Sequence, residues 1–261
     1  MNKSIKVIAS ALCVALSLTG CASSTAPADD PIAAMAKVNN YQGMIAYYKA
    51  ALQQQPDDPE LLQKLAQVYY HAGDIESAAF YVEHLQSQVA PTPALSVLAG
   101  NIDDARGNLT GALSAYEQAA TLGDTSATLN MSQGIVLGKL GRFQQAEDQF
   151  NQARLKGFDD IAIKNNLAVL YLAQGQFQHV VDMLIPVYTG ADFKAKDNQT
   201  LAVNLAIALI KQGDEQQAYN VLKDMYTDDQ LRVLFQQVKA MTVTSERPVL
   251  PDSQGAQHER P

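Results

Sequence analysis

Gly134-Ile135-Val136-Leu137-Gly138-Lys139-Leu140-Gly141-Arg142-Phe143-Gln144-Gln145-Ala146-Glu147-Asp148-Gln149-Phe150-Asn151-Gln152-Ala153 is one copy of a pattern that fills most of this chain. Its centre is Gly141. Glycine recurs in steps of 34 residues at Gly73, Gly107, Gly141 and Gly175, and again after a step of 38 at Gly213, while Asn39 stands one step before the first. Seven residues before each glycine is a small residue: Ala66, Gly100, Gly134, Ala168 and Ala206. Five after come Ala78, Ala112, Ala146, the exception Val180, and Ala218. Nine after come Val82, Tyr116, Phe150, Leu184 and Leu222, and twelve after come Leu85, Ala119, Ala153, Val187 and Met225.

The pattern is that of two helices joined at the glycine. A positive backbone angle there ends the first helix at no steric cost. Small residues let the two helix backbones approach, and large ones fill the space between successive pairs. One such pair cannot bury its apolar face, so pairs must stack into an array. The expected fold is all-α, a solenoid of about six helix pairs over residues 32–241.

Spacing and substituents together resemble the tetratricopeptide (TPR) family of helical repeats over roughly residues 31–230. The proline that often closes a TPR unit is present as Pro56 and missing from most later unit ends.

The pairs are expected at Ile32–Val38 with Tyr41–Gln54, Glu60–Ala72 with Ile75–Gln88, and Ala94–Arg106 with Leu109–Thr121. They continue at Ala127–Leu140 with Phe143–Lys156, Ile161–Gln174 with Phe177–Tyr188, and Gln199–Gln212 with Glu215–Tyr226. The stretch Thr189–Asn198 holds the four residues that lengthen the last step. A final helix, Asp229–Met241, carries Leu231, Leu234, Phe235 and Val238 at helical spacing and caps the array. Residues 242–261 are polar, proline-bearing and aperiodic, and read as a disordered tail.

The first twenty residues are of another kind. Lys3 and Lys6 precede an apolar run, Val7–Leu18, too short to span a bilayer and laid out as an export signal. It ends in Leu18-Thr19-Gly20-Cys21, which resembles the bacterial lipoprotein signal, in which the cysteine is lipidated and becomes the first residue. By the same resemblance, Ala22 beside Cys21 implies the outer membrane and a periplasm-facing domain. Several acyl chains on one residue give stable anchoring. Residues 21–31 then form a short tether, with a reach of roughly 17 Å for ten residues. Cys13 leaves with the leader and Cys21 carries lipid, so no thiol or disulfide is left in the mature domain.

Net charge is −8. That sign argues against nucleic acid, which requires a basic stripe, and against charge-driven docking on anionic lipid. No nucleophile–base pair or metal constellation is apparent. His71, His84, His179 and His258 are scattered, and the paired aspartates at 57–58, 103–104, 159–160 and 228–229 fall mostly between helices, where capping is their expected use. No enzyme activity, cofactor, metal or small-molecule substrate is expected.

What remains is the face lined by the first helix of each pair. Ten residues before the glycines are Gln63, Val97, Met131, Asn165 and Val203; six before, Gln67, Asn101, Ile135, Val169 and Ile207; three before, Tyr70, Asp104, Gly138, Leu172 and Ile210. The groove is polar at its start and apolar later. Met131, Ile135, Asn165, Val169, Leu172, Val203, Ile207 and Ile210 are the expected partner-binding residues, suited to a helix or an apolar peptide. Two arrangements are open: the strip is free, or the capping helix folds over part of it. The groove lacks the cation cluster of TPR domains that clamp a C-terminal carboxylate.

Residues 164–219 carry a narrower resemblance. Lys164-Asn165-Asn166-Leu167-Ala168-Val169-Leu170-Tyr171, Leu184-Ile185-Pro186-Val187-Tyr188, Asn204-Leu205-Ala206-Ile207-Ala208-Leu209 and Gln212-Gly213-Asp214 are similar to the TadD family, TPR lipoproteins of the tight-adherence (Flp) pilus system. The resemblance implies a role in assembling the outer-membrane part of that machine, with a secretin or another pilus-assembly component as partner. A type IV pilotin, a β-barrel assembly subunit and a scaffold for cell-wall hydrolases are the alternatives within outer-membrane TPR lipoproteins.

Overall fold

Asn39 adopts φ +52°, and the glycines at later ladder steps share its left-handed backbone: Gly73 at +80°, Gly107 at +76°, Gly141 and Gly175 at +72°, and Gly213 at +88°. In the computed structural model, which describes residues 31–190 and 198–241, each of these residues closes a helix in the same way. Gly141 N–H donates to the Gly138 carbonyl (3.0 Å) and Arg142 N–H to the Leu137 carbonyl (2.9 Å). This double closure satisfies carbonyls that a helix end leaves orphaned. At three steps the residue after the glycine also caps the next helix with its side chain: Asp74 accepts from Ser77 N–H (3.1 Å), Asn108 from Gly111 N–H (3.2 Å) and Asp214 from Gln217 N–H (3.0 Å), whereas Arg142 and Gln176 make no such bond. One residue thus finishes one helix and its neighbour starts another, which keeps the turn tight. The leader, Cys21, the tether to Asp30, the stretch 191–197 and the tail 242–261 lie outside the described residues.

Among the described residues there are thirteen helices and no strand. They are α1 (Pro31–Lys37), α2 (Tyr41–Gln54), α3 (Pro59–His71), α4 (Ile75–Gln88), α5 (Pro93–Ala105), α6 (Leu109–Thr121), α7 (Ala127–Lys139), α8 (Phe143–Leu155), α9 (Asp160–Ala173), α10 (Phe177–Tyr188), α11 (Gln199–Gln212), α12 (Glu215–Leu222) and α13 (Asp228–Ala240). None is long and apolar enough to cross a membrane. The helices agree with the expected pairs to within a residue or two, apart from α12. It stops at Leu222 instead of Tyr226, because Thr227 begins α13 with a reciprocal cap to Gln230 and the chain must turn before it. A second glycine ladder, unread in the sequence, ends α6 and α8: Gly123 at φ +102° and Gly157 at +83° are also 34 residues apart.

The chain divides after Asn40 into two units. The first holds α1, closed at Asn39 and Asn40. The second is the solenoid. Its helices α3, α5, α7, α9, α11 and α13 each touch the next in that row, whereas α4, α6, α8, α10 and α12 do not touch one another. The first-named row therefore lines the tighter, concave side. Helix α13 touches only α11 and α12. It stands where the first helix of a further pair would stand and does not fold across the groove.

The ladder substituents are the core. Ala66, Ala78, Ala112, Ala146, Ala168, Val180, Ala206 and Ala218 are fully buried, as are Phe150, Leu184 and Leu222 to within two per cent. Val187 and Met225, twelve after their glycines, are half-buried. The fifth pair departs from the others: α9 and α10 pack less closely than the helices of pairs two to four, and α11 sits against both. Its residue at the close approach is Val180, where pairs two to four have Ala78, Ala112 and Ala146. The larger side chain holds the two backbones apart, and α11 packs against both helices.

Candidate functional site

The concave row gives each expected groove residue a definite place. Val169 on α9 is 54% exposed. Ile135 on α7, Asn165 and Leu172 on α9, and Val203 and Ile207 on α11 are half-buried. Met131 and Ile210 are 5% and 4% exposed and belong to the core, a correction to the sequence reading. Ile210 lies in the same core cluster as Leu231 and Val238 of α13, the helix that packs on α11. Met131 sits on a helix flanked by α5 and α9, and its long unbranched side chain joins the packing between helices instead of standing clear of it.

Val169 and Ile135 meet at a pocket of about 330 Å³. Its remaining walls are Gly134, Gly138 and Lys139 of α7, Phe143 and Phe150 of α8, and Asn166, Leu170 and Ala173 of α9. Two glycines one helical turn apart line it, and the room beside them is taken by the chain's own side chains. A Cβ on Gly138 would meet Leu170 Cδ1 at 3.2 Å, and one on Gly134 would collide with the Phe150 ring. Ile135, Phe143 and Val169, the part-exposed apolar members of its wall, leave a hollow for one apolar side chain. Phe143, Phe150 and the glycine pair were not among the expected site residues. The repeat pattern assigns Gly134 and Phe150 to the core, and the two roles share the same atoms.

Polar groups flank the hollow. Asn166 Nδ2 donates to the Ala162 carbonyl (2.9 Å). Lys139 on the rim pairs with Asp104 of α5 at 2.7 Å. The side-chain oxygen of Asn165 and the side-chain nitrogen of Asn204, on adjacent helices α9 and α11, are buried without a hydrogen-bond partner. An unmet buried amide atom costs about 1–3 kcal/mol.

The early end of the groove is different. Glu60, Gln63, Lys64 and Gln67 of α3 face Val89, Ala90, Thr92 and Leu95 across a pocket of about 460 Å³. Asn101 of α5 is held from below, accepting from the Tyr116 hydroxyl at 2.8 Å. Burial pushes the Tyr116 hydroxyl well above the usual phenol range. Tyr171 donates to Glu147 Oε1 (2.8 Å) and stacks on His179 with centroids 4.2 Å apart. Burial first, and then the Glu147 bond, push its hydroxyl up to about 12.

The aspartate pairs have structural partners. Asp58 accepts from Glu60 and Leu61 N–H groups, and Asp159 from Ala162 N–H, each opening a helix. Asp160 pairs with Lys164 at 2.6 Å, Asp228 accepts from Tyr219, and Asp229 pairs with Arg232. Among the described residues, no three His, Cys, Asp or Glu side chains are grouped so as to hold a metal ion.

Residues 36–102 match the tetratricopeptide repeat family model. No curated protein matches the sequence. Among solved structures, the chain is similar to PilW, a widely conserved type IV pilus biogenesis factor, with 17% identity, a TM-score of 0.65, and 77% of this chain and 94% of that one covered. It is similar to the APC/C hetero-tetramer Cut9-Hcn1 with 15% identity and a TM-score of 0.60 over 79% of this chain, which spans 41% of that larger one. It is also similar to YrrB, a TPR protein with an unusual peptide-binding site, with 16% identity, a TM-score of 0.51, and 73% and 97% coverage. At these identities the likeness is one of fold: an all-helical, TPR-like solenoid.

Proposed function

We propose, for a chain whose fold is a TPR-like solenoid, that it is a non-catalytic, lipid-anchored scaffold of the outer membrane. It faces the periplasm and serves assembly of a tight-adherence (Flp) pilus machine. A secretin or another pilus-assembly component is its partner, and the groove around Val169 is where that partner binds. The observation that carries the binding site is the apolar hollow between α7 and α9, open at the exposed Val169. A helical groove holds a helix or peptide through apolar anchors of this kind. Anchoring rests on Leu18-Thr19-Gly20-Cys21, and the pilus assignment on the resemblance carried by residues 164–219. A fold neighbour named as a type IV pilus biogenesis factor is in keeping with it.

The test is crosslinking in intact cells, gentle detergent extraction and mass spectrometry of what accompanies the protein. A secretin or other pilus component should be recovered, and Val169→Asp should reduce it. Recovery of β-barrel assembly factors or cell-wall hydrolases in its place would overturn the pilus assignment. Undiminished recovery with Val169→Asp would overturn the groove.

A further inference from the structure

The hollow between α7 and α9 lies within reach of a segment of this same chain. Helix α13 runs beside α11 in the same direction. Near its end, Lys239 pairs at 2.6 Å with Glu215, which opens α12 just past Gly213. Lys211 Nζ donates to the carbonyl of Met241, the residue immediately after α13. Lys211 stands two residues before Gly213; the residues two before Gly141 and Gly175 are Lys139 and Ala173, and both line the hollow. The chain therefore leaves α13 on the row of positions that leads to it.

The distances agree. Packed helices have axes about 8–10 Å apart, and α13, α11, α9 and α7 stand in that order, so the seam between α7 and α9 is roughly 20–25 Å from Met241. Extended chain advances about 3.3 Å per residue, so the nine steps from Met241 to Leu250 cover up to about 30 Å. Leu250 stands in the run Pro248-Val249-Leu250-Pro251. Its apolar pair is bracketed by prolines, which fix φ and leave less conformational freedom to lose on docking. The hollow offers Ile135, Val169 and the ring of Phe143 to an apolar side chain.

We propose that Pro248–Pro251 docks within its own chain, with Leu250 in the hollow, so that the groove is covered until a partner displaces it. Only the competition with a partner rests on the proposed function. Tethering gives such a segment an effective concentration in the millimolar range. Apparent affinity for a partner falls by the fraction of molecules left open, so freeing the tail should tighten binding by about fivefold.

The full chain carrying Val169→Cys and Leu250→Cys, mildly oxidised in cells, should form a 169–250 disulfide within one chain, identified by peptide mass spectrometry and by monomeric migration. A link between chains would make a second copy's tail the occupant and overturn the proposal, as would no link. The Val249→Asp/Leu250→Asp variant should raise recovery of the crosslinked partner; unchanged or lower recovery overturns the competition. No link, together with recovery still lowered by Val169→Asp, sinks the tail and spares the groove. A link, together with recovery indifferent to Val169→Asp, sinks the groove as partner site and spares the tail.

Discussion

Gly134 lies directly beneath the ring of Phe150: a Cβ built on it would come within 2.5 Å of Phe150 Cε1 and 2.7 Å of Cδ1. One pair earlier, Gly100 stands in the same relation to Tyr116, at 2.5 and 2.6 Å. The equivalent positions elsewhere are Ala66 with Val82, Ala168 with Leu184 and Ala206 with Leu222. Where the large member is aromatic the small one has no side chain, and where it is aliphatic the small one is alanine. The two positions thus share one fixed volume.

That compensation can be measured. Gly134→Ala gains about 1 kcal/mol of helix propensity but overpacks the ring at about 1–3 kcal/mol, for a net loss of about 1 kcal/mol. Phe150→Leu leaves a void and costs about 1–2 kcal/mol. The double variant recreates the Ala168–Leu184 combination and should be more stable than the summed losses by about 1 kcal/mol or more. Urea midpoints of the four proteins give the coupling; simple additivity would mean that the two volumes are set independently.

The same reasoning applies at the close approach. Ala146 is fully buried, and its Cβ would lie 3.9 Å from one built on Gly138. Ala146→Val should cost about 1–3 kcal/mol by overpacking. In the wider fifth pair the reverse change, Val180→Ala, should also destabilise, by about 1–3 kcal/mol, because it opens a cavity. Thermal denaturation decides, and a gain from Val180→Ala would mean that pair five is strained by its valine.

Much of this was legible because each ladder position has one physical job. Glycine and Asn39 end helices and small residues admit a neighbour, and these requirements survive wherever the pair sits in the array. The groove was less legible. Register points Met131, Val169 and Ile210 toward the same face, but burial depends on neighbours remote in sequence. Ile210 is buried on a helix packed by α9, α10, α12 and α13, and Met131 on one packed by α5, α6, α8 and α9. The hollow was missed because Gly134, Gly138 and Phe150, which line it, are also the residues that the core requires.

Aspartate scanning separates surface from core. Val169→Asp places a charge on a half-exposed position and should change stability by less than about 0.5 kcal/mol while reducing partner recovery. Ile210→Asp buries a charge without a partner and should cost at least about 3 kcal/mol. Far-ultraviolet circular dichroism with a denaturation midpoint reads both. Equal losses of helicity would place Val169 in the core.

Tyr171 should make the protein sensitive to alkali. Its hydroxyl titrates near 12 in the folded chain against about 10 when unfolded. The folded state holds the proton more tightly, so the stabilisation is complete below pH 10 and is lost as pH rises toward 12. Solvent screening at the hydroxyl holds the loss to about 1–2 kcal/mol. Tyr171→Phe should flatten the stability profile in that window relative to the unmodified chain. An unchanged profile would mean that the Glu147 contact and burial do not hold the phenol.

Cys21 is the test of the anchor. If it carries the lipid, Cys21→Ser placed behind a leader that is cleaved without acylation removes the membrane attachment, because residues 22–31 contain no large apolar side chain to replace it. The altered protein should move from the outer-membrane fraction to the soluble periplasmic fraction, with its solenoid unchanged by circular dichroism. Retention with outer membranes after a salt wash would separate attachment from lipidation. The anchor would then have to be a protein partner, and retention should fail when Val169→Asp is added.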